Sequence, residues 1–325
     1  MADTFQTKYS IDCLRLSPDQ KYLLCTQSKL NGAMWGGRID VLDMSQSAKR
    51  VSASETSSVR VFTSSQHILS SYINKTIQGV TSADWMNNRM FVSGTDDGTV
   101  EIYRFNPDAL KLTLTTTLNQ HDRIVSSVAV KKESVLSASH DGLIHLWSIS
   151  SLSPAAVKAT FRGHHDVVQD VCWFEDENQF VSVGNEGLAF LWDTRTRLKS
   201  SSIRFSSDAV LCVDVFEHFV AVGMENGTVE IRDRRSSKKV LYRDETSHKL
   251  PVFRVLMKDE KLAVSASDDT TVRVHSLGDN KKGFTYNGHK DYVRALEWGP
   301  SGCVLSGGRD RNLHCWMYLL NGKQQ

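Results

Sequence analysis

One short phrase recurs along this chain: an acidic residue or asparagine, a glycine, and then a strand of alternating residues. In its copies the strand closes at positions 42, 103, 147, 192, 232, 275 and 316, so the spacing after the first gap is 44, 45, 40, 43 and 41 residues. A regular period of this length indicates one array of similar modules rather than unrelated domains. The clear copies begin at Asp97, Asp141, Glu186 and Asn226, and looser copies begin at Gly36, Asp269 and Asp310.

Each period contains enough alternating sequence for four strands. In the third unit, Asp141 and Gly142 separate the second and third strands, and an Asp-Gly pair there indicates a tight hairpin in which both residues take positive φ. Seven four-stranded modules predict an all-β, seven-bladed β-propeller. The four strands of the third unit are expected at 124–130, 134–139, 143–147 and near 156–161.

Polar residues recur in columns along the units. Serine stands ten residues before the closing position in five of the six later units, an acidic residue or asparagine stands six before it, and histidine stands 26–28 before it in four. The pattern resembles the WD-repeat family, and this resemblance implies a buried His-Ser-Asp-Trp hydrogen-bond chain inside each blade. A hydrolytic triad is disfavoured, because it needs one exposed nucleophile whereas this set recurs at the blade period. The network residues are His121, Ser137, Asp141 and Trp147; His164, Ser182, Glu186 and Trp192; His248, Ser265 and Asp269; and His289, Ser306, Asp310 and Trp316.

The ring must close on itself. The seventh unit ends at about 316–320, which leaves too little chain for a fourth strand. The N-terminal segment, about 4–9, is therefore expected to complete that blade and remove an exposed edge. We interpret the chain as a single domain over 1–325, a seven-bladed WD-repeat β-propeller closed by the N-terminal strand.

Composition limits the function classes. The 325 residues carry a formal net charge of +2, so no overall field favours nucleic acid or an anionic membrane. No apolar run approaches the ~18 residues of a membrane helix, and the N-terminus lacks a secretory apolar core. The six cysteines fall mostly in predicted strands without a C-x-x-C pair, which fits buried thiols in a reducing cytoplasm or nucleus.

No motif predicts catalysis. The sequence lacks H-E-x-x-H, a phosphate-binding glycine loop and a His/Asp cluster at metal-ligand spacing. We therefore expect no enzyme activity, metal or cofactor, and a propeller enzyme is the remote alternative. The basic run from Arg232 to Lys239 contains Asp233 and lacks aromatic residues, so it is interpreted as a solvated strand edge rather than an RNA-binding surface.

The period breaks twice in the first unit. Its gap of 61 residues, from position 42 to position 103, holds ten serines between Ser45 and Ser71, and a surface loop is expected at about 44–66. The second break is the hairpin at 31–37, where three glycines frame Met34 and Trp35. Tryptophan is enriched among binding hot spots, so we expect Trp35 with Met34 to anchor a partner. The alternative is that Trp35 folds back on its own blade.

Four stretches resemble the methylosome branch of the WD-repeat family, whose members are obligate partners of the type II protein arginine methyltransferase. The resemblance implies that Trp35 inserts into the amino-terminal barrel of that enzyme, and that this chain helps present arginine-rich tails of histones and spliceosomal proteins. Where that branch has arginine two residues before the tryptophan, this sequence has Ala33, which removes an arginine contact. The four stretches are 31–37, 79–85 with 98–103, 121–128 and 289–300.

The residue before each turn position is expected to project at the top rim of the ring. Three of these six residues are acidic, so the rim could receive basic peptides; the alternative is an ordinary solvated turn. The rim candidates are Asp96, His140, Asn185, Glu225, Asp268 and Arg309.

These features together predict a non-catalytic adaptor of the cytoplasm and nucleus. It is expected to join a hetero-oligomer with a protein arginine methyltransferase and basic protein substrates, with no membrane or direct nucleic-acid contact. The alternative is another WD-repeat adaptor, such as a substrate receptor of a ubiquitin ligase or an import receptor.

Overall fold

Seven four-stranded antiparallel sheets make up the structure, and each sheet is one blade of a propeller. This confirms the all-β, seven-bladed architecture predicted from the repeat. The described part of the chain contains one short 3-10 turn, Pro300–Gly302, and no helix with the length and hydropathy of a membrane span. The structure is a computed structural model that describes residues 3–31, 34–44, 68–69, 79–109, 111–150, 153–236, 239–278 and 283–317.

In six blades the strands follow the chain from the ring centre outward, and in the seventh the N-terminal strand is the outermost. The first blade contains β2 (Ser10–Leu16), β3 (Tyr22–Asn31), β4 (Met34–Asp43) and β5 (Ile68–Leu69), and the second β6 (Val80–Asn87), β7 (Met90–Thr95), β8 (Thr99–Asn106) and β9 (Lys111–Asn119). The third contains β10 (Val125–Lys131), β11 (Ser134–Ser139), β12 (Leu143–Ser150) and β13 (Ser153–Arg162), and the fourth β14 (Val168–Trp173), β15 (Gln179–Gly184), β16 (Leu188–Asp193) and β17 (Leu198–Arg204). The fifth contains β18 (Val210–Phe216), β19 (Phe219–Met224), β20 (Val229–Asp233) and β21 (Val240–Asp244), and the sixth β22 (Val252–Asp259), β23 (Leu262–Ser267), β24 (Val272–Ser276) and β25 (Phe284–Tyr286). The seventh contains β26 (Val293–Trp298), β27 (Val304–Gly308), β28 (Asn312–Trp316) and the N-terminal β1 (Asp3–Gln6).

The N-terminal strand closes the ring, as predicted. β1 pairs with β28 in antiparallel register from Asp3 opposite Cys315 to Gln6 opposite Asn312. The strand is shorter than the expected 4–9, but Thr7 continues the contact through two hydrogen bonds to the Arg311 carbonyl. The innermost strands contact one another in a complete cycle, β2, β6, β10, β14, β18, β22, β26 and back to β2.

The hydrophobic core is divided among the blade interfaces. Seven clusters of buried apolar residues lie between consecutive blades, and each draws side chains from both. Trp85 and Trp173, which lie at or near the ends of the innermost strands of their blades, also donate indole hydrogen bonds to backbone carbonyls of the preceding blade, at 3.0 and 3.1 Å. Each blade is therefore stabilised mainly by its neighbours.

The turn that recurs between the second and third strands differs from the expected two-residue hairpin. In the third blade Gly142 has φ +81°, but Asp141 does not have positive φ, and the Gly142 amide donates to the Ser139 carbonyl at 3.2 Å. The turn therefore runs from Ser139 to Gly142, and only its last residue needs the left-handed region. In the sixth blade that position is Thr270, with φ +71°, which is strained for a β-branched side chain.

Thr270→Gly is expected to stabilise the protein by roughly 0.5–1 kcal/mol, because the relief of left-handed strain exceeds the gain in unfolded-state entropy. The converse change, Gly142→Thr, should destabilise by about 1 kcal/mol or more. Denaturant unfolding followed by circular dichroism measures both. A Thr270→Gly protein that unfolds earlier than the wild type would contradict the strain assigned to this turn.

Candidate functional site

Four blades contain the buried histidine network. In the third blade, His121 Nδ1 donates to the Asp141 carboxylate at 2.8 Å, and its Nε2 accepts from the Ser137 hydroxyl at 2.8 Å. The Trp147 indole donates to the same hydroxyl oxygen at 2.8 Å. The fourth and seventh blades repeat this chain, with Glu186 as the carboxylate in the fourth, and in the sixth His275 replaces the tryptophan and lies 2.6 Å from Ser265 Oγ.

The network is structural rather than nucleophilic. Ser137 and its three counterparts are fully buried, so none of these hydroxyls can meet a substrate. Burial alone would raise the pKa of Asp141, but hydrogen bonds from His121 and from backbone amides outweigh it and hold that pKa at about 2. The ionised carboxylate therefore fixes the turn to the preceding loop.

The blades that lack this network use a different buried carboxylate, which the sequence interpretation missed. In the fifth blade Glu230 is fully buried and forms ion pairs with Arg232 and, at 3.2 Å, with Arg243. In the second blade the Tyr103 hydroxyl donates to the buried Glu101. In the first blade, Asp40 accepts from Gln27 at 2.6 Å and from Arg38 at 2.7 Å.

A sequence signal for these groups was present. The acidic residue stands two positions before the closing position in the first, second and fifth units, whereas the other four have His145, Phe190, Arg273 and His314 there. A buried carboxylate without a partner costs several kcal/mol, so its recurrence at one place in the period predicts a dedicated partner nearby. The closing residues Tyr103 and Arg232 supply that partner.

Charged side chains line the wall of the central channel. Arg15 in β2 lies 3.8 Å from both Asp84 in β6 and Glu297 in β26, and so bridges the two blades beside it. Arg254 in β22 of the sixth blade lies 3.4 Å from Asp170 in β14 of the fourth blade, so this ion pair joins two blades that are not adjacent. Burial raises the pKa values of three channel acids, Asp84, Asp214 and Glu297.

The same carboxylates tie neighbouring blades together. Asp84 accepts from the Val130 amide at 2.8 Å, and Asp170 accepts from the Val213 amide at 3.0 Å. Asp214 accepts from the Met257 amide at 2.7 Å. In each case the donor lies on the innermost strand of the following blade, so these acids hold the ring together.

A cavity of about 400 Å³ opens into this channel. Three of the predicted rim residues, Asp96, His140 and Arg309, line it, and Asn185 accepts a hydrogen bond from the lining residue Gln169 at 2.9 Å. Glu225 is exposed but lies outside the lining. The acidic and basic lining residues are Asp12, Arg15, Asp96, His140, Asp170, Arg254, Arg294 and Arg309.

Asp268 departs from the expectation of an open acidic rim. The residue is 8% exposed, and both carboxylate oxygens accept from the Arg294 guanidinium, at 3.0 and 2.8 Å. Arg294 also stacks on Phe253 at 3.9 Å. An arginine of an innermost strand thus neutralises part of the negative charge predicted for the rim. The position of that arginine could not be predicted from the turn sequence.

The hairpin of the first blade is longer than its counterparts. β3 and β4 have ten residues each and pair without interruption from Tyr22 opposite Asp43 to Asn31 opposite Met34, whereas the second strands of the other blades have five or six. β2 accompanies β3 only as far as Ser28. Beyond it the hairpin continues for three residues on each side as a two-stranded arm, about 10 Å long at ~3.4 Å per residue. Met34 and Trp35 lie at the end of this first-blade arm, and their side chains lie outside the described residues.

One set of side chains in the described ranges has metal-ligand types close together. Single ligand atoms of His289, Asp310 and His314 lie within 4.8 Å of one another. Both ring nitrogens of His289 are already used, by Asp310 and Ser306, and His314 Nδ1 lies 2.6 Å from the Tyr286 hydroxyl. These side chains therefore belong to the hydrogen-bond network of the seventh blade.

Comparison with known families agrees with this architecture. Residues 63–104, 112–148, 156–193 and 280–317 match the WD domain, G-beta repeat family, and these segments correspond to the second, third, fourth and seventh blades. The chain is therefore a β-propeller that contains WD repeats. The unmatched units are the first and fifth, which have the alternative carboxylates, and the sixth, which closes on His275.

Individual relatives fall into two groups. The chain is 24% identical over 286 residues to methylosome protein WDR77 of Xenopus laevis, covering 86% of this chain and 80% of that protein. It is 24% identical over 274 residues to a ribosome biogenesis protein WDR12 homologue of Trichoplax adhaerens, covering 73% of this chain but only 63% of that protein. Ribosome biogenesis protein YTM1 of Meyerozyma guilliermondii is 25% identical, over 82% of this chain and 68% of its own length.

Ser137→Ala is expected to destabilise the protein by about 2–4 kcal/mol, because it leaves His121 Nε2 and the Trp147 indole unpaired in the interior. Ser93→Ala is the matched control: it lies in the same column, is equally buried, and its hydroxyl has no hydrogen-bond partner within the described residues. Its effect should stay within ~0.5 kcal/mol. Equal losses in chemical denaturation would show that side-chain volume, not the network, matters here.

Asp12→Asn is expected to raise the thermal unfolding midpoint at pH 8 more than at pH 5. Burial raises the native pKa of Asp12 from its ordinary 3.8 to about 7, against the opposing effects of Ser28 and nearby arginines. Between pH 3.8 and pH 7 the native carboxyl is protonated while that of the unfolded chain is ionised, so the destabilisation grows with pH and levels off above about pH 7. Calorimetry at both pH values measures this, with the exposed Asp122→Asn as control. A pH-independent shift would contradict the assignment.

Proposed function

We propose that this chain is a non-catalytic adaptor of the cytoplasm and nucleus that binds a protein arginine methyltransferase and helps present arginine-rich protein substrates. The observation that carries the proposal is the first-blade arm. It is a two-stranded extension in continuous register, it ends in Met34 and Trp35, and it belongs to a chain that aligns with 80% of a methylosome protein.

The arm suits insertion into a partner. Its ten-residue strands are held in unbroken register, so little backbone entropy is lost when it binds. An indole at the end of such an arm can enter a partner pocket while the ring stays outside it. Because Ala33 replaces the arginine of the methylosome branch, binding here depends on apolar contact more than on an ion pair.

The cavity and its rim are the proposed place for substrate. Asp96 lines the cavity and Glu225 is exposed on the rim, so both can attract basic segments. Arg309 and Arg294 lie on the same cavity and limit how many cations can enter. We therefore expect weak, charge-steered contact with substrate tails rather than deep insertion.

A second candidate is an adaptor in ribosome assembly, which the similarity to the WDR12 homologue and to YTM1 favours. Both hypotheses use the same non-catalytic ring, and they differ in the partner. Affinity purification from the native cells separates them, because the first hypothesis predicts recovery of a methyltransferase and the second predicts recovery of ribosome biogenesis factors. A ubiquitin-ligase subunit or a transport cargo would instead favour the other adaptor classes.

Trp35→Ala is expected to weaken binding of the co-purifying methyltransferase by about 30-fold or more, which corresponds to a hot-spot loss of ~2 kcal/mol. Leu250→Ala is the control, because Leu250 is 44% exposed in the connection between the fifth and sixth blades. Isothermal titration with the purified enzyme measures both. Unchanged affinity for Trp35→Ala, with the variant folded, would remove the arm from the interface.

A further inference from the structure

The outer strand of the fourth blade combines exposure with positive charge. Residues 195–202 are all exposed, and Leu198 is 68% exposed. Between Asp193 and Asp208 the chain has four basic residues and no acidic one. In sequence, Arg195 and Arg197 stand five and three residues before Ser200, an arrangement that basophilic serine/threonine kinases select through acidic subsites.

We propose that Ser200 is a phosphorylation site for an arginine-directed protein kinase. In the reaction the Ser200 Oγ attacks the γ-phosphorus of ATP, the bond from that phosphorus to the β–γ bridging oxygen breaks, and ADP leaves. The hydroxyl proton passes to the carboxylate base of the kinase.

The strand is able to reach an active site. β17 is the outermost strand of its blade, and of its seven residues only Ile203 is buried. Separating β17 from β16 therefore exposes little apolar surface of β17 itself, so local opening costs less than unfolding the ring. Ser200 lies at an irregularity of the pairing between Leu191 and Trp192, where its hydroxyl donates to the Leu191 carbonyl at 2.8 Å.

Both arginines are accessible. No ion pair holds Arg197 among the described residues, and it is exposed at φ +58°. Arg195 pairs with Asp193, but its side chain is 62% exposed, and an exposed pair of this kind is worth about 0–1 kcal/mol. A kinase subsite can therefore replace Asp193 at small cost.

The neighbouring blade provides an internal contrast. Arg232 and Arg234 stand five and three residues before Ser237, so the same pattern ends at Ser237. Arg232, however, is 13% exposed, is ion-paired with Glu230, and lies 4.9 Å from the Phe205 ring. Arg234 stacks on Phe174 at 4.0 Å and donates to Gln179 at 2.6 Å. Folding therefore engages the two arginines of the second pattern and leaves those of the first exposed.

The product changes the charge of this edge. A phosphoserine adds about −1.5 to −2 charge to a segment whose other charged residues, Arg195, Arg197, Lys199 and Arg204, are all basic. It also removes the hydroxyl donor that Ser200 gives to Leu191. The edge strand then presents a mixed rather than a purely basic surface, which alters the partners it can meet.

The test uses the folded full-length chain with ATP and a basophilic kinase that selects arginine at these two positions, followed by mass-spectrometric site mapping. Phosphate is expected at Ser200. Ser200→Ala should abolish incorporation, and Arg197→Ala, which keeps Ser200, should slow it about tenfold or more. Ser202→Ala is the control and should leave the rate unchanged.

Synthetic peptides covering 193–205 and 230–241 show what folding contributes. Both peptides are expected to be substrates, whereas the folded chain should be modified at Ser200 and not at Ser237. Modification of the 193–205 peptide without modification of the folded chain would overturn the proposal. Phosphate at Ser237 at a rate equal to that at Ser200 would overturn it as well.

Discussion

The pairing of β1 with β28 is the interaction on which the ring depends. Each blade buries its apolar faces against two neighbours, so an incomplete seventh blade would leave its own face and that of the first blade uncovered. Leu313 and Cys303 of the seventh blade lie in one cluster with Ile11 and Leu14 of the first, and Phe5 of β1 packs against it. A few residues at the chain start therefore complete the interface between first and last blades.

Most of this fold could be predicted from the period of the sequence. Because the closing residues recur every 40 to 45 positions, the number of blades and the place of each turn could be predicted. The recurring serine, histidine and acidic positions also predicted hydrogen-bond partners that the structure brings together, such as His121 and Ser137. What they could not show was backbone geometry. The expected turn had two residues of positive φ, and the actual turn has one. Asp141 does not have positive φ, and its carboxylate accepts from both the histidine and a following amide.

Contacts between residues far apart in the sequence could not be predicted from a repeat that describes one blade at a time. Asp268 was predicted as an open rim acid, yet Arg294 from the next blade neutralises it across 26 residues of sequence. The Arg254–Asp170 pair spans 84 residues. Such pairs form only when curvature brings the innermost strands together, so no periodic signal reports them. The carboxylates Glu101 and Glu230 were different, since their positions were periodic and their meaning was missed.

The distribution of polar groups shows which parts of the ring can evolve new contacts. Inside the blades and along the channel, most charged atoms already have partners in the same chain, and changing one would leave another unpaired in a dry environment. The first-blade arm and the outer strand β17 lack that constraint, because the arm extends beyond β2 and β17 is the outermost strand of its blade. Binding and modification are therefore expected where the repeat is least regular, and the units that best fit the pattern serve mainly to hold those irregular parts in place.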